Sequence, residues 1–198
     1  MAEAGYKYLI SYKLSQIAFD LGWDFVPKYY SKIEDSRQRD QIKQALRSYK
    51  QNIVEGSSER SLSSKLKLYD VAKASSMEAL EDFEDILRRK QLNLWGKDDP
   101  RLKKLRQTFE GYLSYSNPSH PSPIPFPSVL EIKEVLGGLG EKEGLEAVIN
   151  YLIDLIKRGG YLLDKQINAI EEKHQKEGGY NENLLKKRLA YKNQTSKF

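Results

Sequence analysis

Four cationic side chains at helical spacing are the strongest chemical signal in this sequence. They follow one another at intervals of three or four residues, as Arg39, Lys43, Arg47 and Lys50. At about 100° per residue they share a wedge of roughly 80° on one helix, and that helix has no acidic residue inside the wedge. We call this set the basic ridge. A basic ridge can bind phosphate groups, but a solvated helix face has the same composition, and both interpretations stay open here.

A second group of cations, Lys186, Lys187 and Arg188, lies near the end of the sequence. The chain has 33 Lys and Arg against 28 Asp and Glu, a net charge of +5. The excess is uneven, because residues 37–60 have a net charge of +3 and residues 180–198 one of +4. This imbalance is consistent with a polyanionic partner such as RNA or DNA.

Residue types typical of catalytic or metal sites are sparse. The sequence has no cysteine, which excludes a thiol nucleophile and a zinc–thiolate site. Its two histidines, His120 and His174, have no partners that the sequence brings together, and we interpret them as solvated side chains. Residues 137–140, GGLG, have neither a strand before them nor a lysine after them, so they are not a phosphate-binding loop. We predict no catalytic residue, no cofactor and no metal site.

An acidic run between Glu78 and Asp85 could offer carboxylates to a cation. The spacing instead favours ion pairs along one helix face, with Glu84 pairing with Arg88 and Asp85 with Arg89. We interpret the run as an ordinary ion-paired helix surface.

Amphipathic patterns organise the chain into an all-α protein. Long helices are predicted at residues 6–30, 37–56, 62–90 and 145–177. Pro27 should kink or end the first of them. Gly56, with Ser57 and Ser58, should stop the second, because glycine readily adopts the left-handed conformation at the end of a helix. The apolar stripe of the second helix is Ile42, Leu46, Tyr49 and Ile53.

Residues 91–144 are predicted to form an insertion before the fourth long helix. Within it, the sequence favours short helices at 100–115 and 129–136 around a proline-rich loop at 117–127. One domain then covers residues 1–177, and a basic suffix covers 178–198 with a short helix at 181–191. Gly159 and Gly160, inside the fourth long helix, indicate close packing or a kink.

The first helix is apolar on two nearly opposite sides. One side is formed by Ile10, Leu14, Ile17, Leu21 and Phe25. The other, which we call the aromatic face, is formed by Tyr8, Tyr12, Phe19 and Trp23. Since a helix that is apolar on two sides needs two partners, we predict that another subunit or the suffix covers the aromatic face.

Small residues between Ala72 and Ala79 make the middle of the third helix thin. A thin helix lets a neighbouring backbone approach closely. We predict that this section receives the end of the second helix, at Asn52, Glu55 and Gly56.

Residues 52–57, NIVEGS, followed by Ser64 and a long amphipathic helix, resemble the four-helix-bundle family of 23S ribosomal RNA intervening-sequence proteins. Relatives of that family include the accessory variability determinant protein of diversity-generating retroelements. The longer patterns QALRSYKQNIVEGS, KLYDVAKASSMEALEDFEDILR, LNLW, YLLDKQI and KEGGYNENL are similar to the subgroup of four-helix-bundle suffix proteins. The resemblance covers most of the chain and fails between about residues 117 and 144.

The resemblance implies an up-down four-helix bundle with a basic surface that assembles as a homo-oligomer, a pentamer in the family. It implies family-motif roles for Asn52, Glu55 and Gly56, for which we expect hydrogen bonding within the bundle. Two functions remain: a non-enzymatic oligomer that binds the backbone of RNA or DNA, or an interaction scaffold for a nucleic-acid enzyme such as a reverse transcriptase.

The segment MAEAGYKYLISYK contains no long apolar run, so we expect neither a signal peptide nor a membrane span. The absence of cysteine suits a reducing, cytoplasmic environment.

Overall fold

The computed structural model describes residues 5–114 and 127–195, and among these residues the secondary structure is entirely helical. The helices are α1 (Ile10–Tyr29), α2 (Ser36–Ser58), α3 (Leu62–Lys90), α4 (Pro100–Phe109), α5 (Val129–Val135), α6 (Glu141–Glu177) and α7 (Tyr180–Thr195). Short 3-10 turns occur at Gly5–Tyr8, Ile33–Asp35 and Gly111–Ser114. The all-α class is therefore confirmed. The proline-rich loop and His120 fall outside the described residues, apart from Pro127.

Two apolar clusters hold the longest helices together. α2 packs on α1 and α3, and α6 packs on α3 and α1. The stripe that the sequence indicates for α2 is fully buried. Ile42 and Leu46 lie in the larger cluster, and Tyr49 and Ile53 lie in the smaller one. Removing such a side chain from water stabilises the fold by roughly 1.5–3 kcal/mol each.

α2 ends within the predicted stop at Gly56, Ser57 and Ser58, but Gly56 does not adopt the left-handed conformation that the prediction gave as the reason. The helix continues to Ser58, and Gly56 is not among the glycines with positive φ. A Cβ at Gly56 would lie 2.6 Å from the ring of Tyr69 on α3. Glycine is therefore needed because an aromatic ring packs directly on the α2 backbone.

The thin middle of α3 does not receive Gly56 either. It faces Ser48 of α2, since the Ser75 hydroxyl donates to the Ser48 hydroxyl at 2.9 Å. It also faces α6, where a Cβ on Gly160 would lie 3.7 Å from Ser76 Oγ. α6 runs through Gly159 and Gly160 without interruption. Close packing explains Gly159, where a Cβ would overlap the Tyr49 hydroxyl oxygen, whereas Gly160 has room for a Cβ.

The segment between α3 and α4 is attached to α6 through Trp95. Its indole Nε1 donates to Glu146 at 2.7 Å, and its backbone N–H donates to the buried Asn150 side chain at 2.7 Å. The Arg101 guanidinium lies 3.7 Å from the Trp95 ring centroid. These contacts seat the start of α4 against α6.

A buried ionic network joins the end of α4 to the middle of α6. Asp154 accepts from Arg106 Nε at 3.0 Å and from Arg158 Nε at 2.8 Å. Glu110 accepts from both Arg158 Nη atoms, at 2.8 and 2.6 Å, and from the Tyr151 hydroxyl at 3.0 Å. Burial alone would lower the pKa of Arg158, but the hydrogen bonds and charge of Glu110, together with Asp154, raise it. We call these five residues the ionic network.

None of the described helices combines the length and the apolar composition needed to cross a membrane.

Candidate functional site

Part of the basic ridge and part of the aromatic face meet in one surface where α1 and α2 pack together. Lys43 Nζ lies 3.6 Å from the centroid of the Trp23 ring, and Lys50 Nζ lies 3.7 Å from the centroid of the Phe19 ring. In the sequence these residues belong to two separate surfaces, with nucleic-acid binding predicted for one and a subunit or suffix contact for the other. We call the combined set of Phe19, Trp23, Lys43, Arg47 and Lys50 the cation–aromatic surface.

The two rings lie side by side along α1. Their centroids are 5.1 Å apart with an interplanar angle of 38°. Trp23 is 46% exposed, whereas Phe19 is half-buried. A cation over a ring contributes about 0.5–1 kcal/mol at an exposed site. Lys43 and Lys50 are therefore held against the rings and do not extend freely into solvent.

Acidic side chains of α1 reach the same surface. Asp20 lies beside Lys50: burial raises the pKa of Asp20, and Lys50 and Gln16 oppose the rise. Burial likewise lowers the pKa of Lys50, and Asp20 opposes that shift. A depression of about 430 Å³ is lined by Phe19, Asp20, Trp23, Asp24, Pro27 and Lys28. The wedge of α2 that carries the basic ridge contains no acidic residue, but the surface that it forms with α1 does.

The four cations of the basic ridge are not equivalent. Arg39 Nη1 donates to the Tyr30 carbonyl oxygen at 3.4 Å, and Arg39 Nε is 3.6 Å from Asp40. Arg47 is exposed and forms no ion pair within the described part of the chain. Arg47 is therefore the ridge cation most available to an incoming anion.

The other end of the predicted aromatic face forms a separate cluster. Tyr12 is half-buried and packs edge-on against Tyr6, with ring centroids 4.8 Å apart. Burial raises the pKa of Tyr12, with smaller contributions from Tyr6 and Asp20. Tyr8 is exposed. The suffix helix α7 does not pack along α1, so it does not cover the aromatic face; coverage by another subunit stays a prediction.

The suffix cations are exposed and lie apart from the basic ridge. Lys186, Lys187 and Arg188 occupy successive positions of α7. Because successive helical residues are about 100° apart, these side chains leave the helix in three directions. They form a positively charged segment of helix and not a second ridge.

The family-motif residues have structural contacts. Asn52 Nδ2 donates to the Ser48 carbonyl oxygen at 2.8 Å and to the Ser48 hydroxyl at 3.0 Å. Glu55 is exposed and accepts from Gln51 at 3.2 Å. Gly56 is buried under Tyr69.

The acidic run of α3 forms ion pairs, although one predicted pair is wrong. Asp85 accepts from Arg88 at 2.7 Å and from Arg89 at 3.2 Å. Glu84 pairs with Lys157 of α6 at 2.6 Å and not with Arg88. Across residues 5–114 and 127–195, no group of His, Asp or Glu is arranged to hold a metal ion. His174 is half-buried near the end of α6.

Sequence reasoning missed two features that the fold creates. One is the contact of Lys43 and Lys50 with the aromatic rings of α1. This contact depends on how α1 and α2 are rotated relative to each other, which the periodicity of a single helix does not give. The ionic network joins residues 41–48 positions apart along the chain. The local signals for it were two pairs of opposite charges one helical turn apart, Arg106 with Glu110 and Asp154 with Arg158.

Comparisons with protein-family models, with curated proteins and with solved structures find no match to this chain.

Proposed function

We propose that this protein binds the backbone of RNA or DNA through the cation–aromatic surface, without catalysing a reaction. The observation that supports this most directly is the exposed Trp23 indole beside Lys43, with the exposed Arg47 on the same surface. Aromatic rings on which bases stack, next to cations that contact phosphates, are the usual elements of sequence-independent single-strand binding.

The proposal includes an up-down four-helix bundle formed by α1, α2, α3 and α6, assembled as a homo-oligomer. One surface carries a modest charge, because Asp20 and Asp24 lie beside the cations. Oligomerisation would place several such surfaces on one nucleic acid and raise the affinity by multivalency.

Reversing the charge of Arg47 is expected to weaken binding to any RNA or DNA sequence alike. The Arg47→Glu variant should lower the slope of log affinity against log salt by about one unit, as for one lost phosphate contact. Fluorescence anisotropy with labelled single-stranded RNA and DNA at several salt concentrations measures both values. Lys104→Glu is the matched control, because it makes the same charge change at an exposed position on α4. Equal affinities for the two variants would contradict the proposal.

A triple replacement of Lys43, Arg47 and Lys50 by Glu is a less clean test. Two of its three sites also lose their contacts with Trp23 and Phe19. The Arg47→Glu variant leaves those contacts in place.

The second candidate function is a protein-interaction scaffold, and the exposed suffix helix favours it. α7 presents Leu184, Leu185 and Leu189, each more than half exposed. Apolar side chains on an unpacked helix are typical of a surface that a partner protein covers. A nucleic-acid enzyme such as a reverse transcriptase is the partner that the resemblance implies.

Replacing Trp23 by Glu tests whether a second copy of the chain covers the aromatic face. If it does, the variant should sediment as a smaller species, because a carboxylate beside Lys43 removes the aromatic contact area and must be desolvated in the interface. Sedimentation velocity of wild type and Trp23→Glu, each with and without RNA, measures this. A wild-type mass in the variant together with lost RNA binding would assign the surface to nucleic acid and not to a subunit contact.

A further inference from the structure

A second concave site lies on another part of the molecule, where the end of α1 meets α5 and the start of α6. It has a volume of about 560 Å³, within the range of small-molecule sites. Its floor is apolar and includes the buried side chains of Phe25, Leu92 and Val148. We call it the α5 cavity.

The rim of the α5 cavity is basic. Four lysines line it, Lys28, Lys90, Lys133 and Lys142, against the single carboxylate of Glu141. Lys28 pairs with Asp24 at 2.6 Å, and Lys133 pairs with Glu141 at 3.5 Å. No ion pair involves Lys90 or Lys142 within residues 5–114 and 127–195. Two cations beside an apolar floor thus lack an anionic partner.

The walls of the cavity are held in place by packing and capping. Ser128 and Glu131 form a reciprocal capping box at the start of α5, with the Ser128 backbone N–H donating to Glu131 at 2.7 Å. Ile132, a residue of α5 itself, is fully buried. The aliphatic chain of Lys133 lies over Gly144, where a Cβ would come within 2.8 Å of it. α5 and one rim lysine therefore have defined positions.

We propose that the α5 cavity binds a small amphipathic anion, a hydrocarbon chain that ends in a carboxylate. The chain would cover the apolar floor, and the carboxylate would pair with Lys90 and Lys142 at the rim. A polyanion has no apolar body for the floor, and a neutral chain gains no ion pair with Lys90 or Lys142. This site is separate from the cation–aromatic surface, apart from Lys28, which borders both depressions.

Three probes of equal chain length and different head charge test the ligand class. Isothermal titration calorimetry would compare decanoate, 1-decanol and decyltrimethylammonium, all below their aggregation concentrations. Decanoate is expected to bind several-fold, up to about tenfold, more tightly than 1-decanol, from two ion pairs at an exposed rim. The ammonium compound should bind more weakly still. Equal affinities for decanoate and 1-decanol would overturn the proposal.

Two variants locate the binding in the cavity. Lys90→Glu combined with Lys142→Glu should abolish the preference for decanoate, whereas Lys67→Glu combined with Lys104→Glu should leave it unchanged. The control lysines are exposed on α3 and α4 and do not line the cavity. Val129→Trp should weaken both decanoate and 1-decanol by filling the space beside the floor.

Circular dichroism melting of each variant shows whether it is folded. A folded Lys90→Glu and Lys142→Glu double variant that still prefers decanoate would overturn the proposal. So would binding to phosphatidylglycerol vesicles without any binding of decanoate, since that result would assign the lysines to a membrane surface.

Discussion

Replacing Asp154 by Ala is expected to lower the free energy of unfolding by about 3–5 kcal/mol. The carboxylate is 7% exposed and accepts hydrogen bonds from both Arg106 and Arg158. Without this carboxylate, the guanidinium groups of Arg106 and Arg158 lose the anion that they share. Arg158 keeps Glu110, but among the described residues Arg106 keeps only the Lys97 carbonyl oxygen as a hydrogen-bond acceptor. The loss should therefore weaken the attachment of α4 to α6 in particular.

Urea denaturation followed by circular dichroism measures this change. Asp164→Ala is the matched control, because Asp164 lies on the same helix and pairs with Lys73 at a site where both side chains are 42% exposed. An exposed ion pair contributes about 0–1 kcal/mol. A loss in Asp154→Ala no larger than in Asp164→Ala would show that the ionic network contributes little to stability.

Replacing Gly159 by Ala is expected to destabilise the wild-type protein but to stabilise the Tyr49→Phe variant. In the wild-type protein a Cβ at Gly159 would overlap the Tyr49 hydroxyl oxygen, and overpacking of this kind costs about 1–3 kcal/mol. In a Tyr49→Phe background that oxygen is absent. The nearest remaining atoms are the ring carbon Cζ at 3.4 Å and Leu14 Cβ at 3.5 Å. Ala should then stabilise α6 by about 1 kcal/mol over Gly, as helix propensity dictates.

The Tyr49→Phe change should itself stabilise the protein or leave it unchanged, within about 1 kcal/mol. The Tyr49 hydroxyl is buried and has no hydrogen-bond partner among the described residues. Its burial raises the pKa of Tyr49, so the hydroxyl stays neutral. The phenylalanine ring fills the same space without the unsatisfied polar atom.

Thermal or urea unfolding of the four proteins in this double-mutant cycle gives the coupling energy between positions 49 and 159. Gly160→Ala is the matched control, because its Cβ would meet only Ser76 Oγ at an ordinary 3.7 Å. It should stabilise both backgrounds by about 1 kcal/mol. The same effect of Gly159→Ala in the wild-type and in the Tyr49→Phe backgrounds would show that the hydroxyl does not restrict the glycine.

The sequence by itself was sufficient for those features that depend on one segment of chain. The α2 stripe repeats every three or four residues, and burial follows that period directly. Asp99 before Pro100 predicts the start of α4, and the Asp99 side chain accepts from the Arg101 backbone N–H there. Capping and periodicity act within a few residues, so they are readable without knowledge of the tertiary fold.

Only the tertiary structure decided what each helix face meets. A periodicity gives angles about one helix axis, and it says nothing about how two axes are rotated relative to each other. That rotation brings Lys43 and Lys50 onto the rings of α1. It also presses Tyr69 on Gly56 and joins Glu110 to Arg158. These contacts depend on packing between segments that are distant along the chain. The sequence therefore did not show that the basic ridge meets the aromatic face, why position 56 needs glycine, or that the ionic network forms.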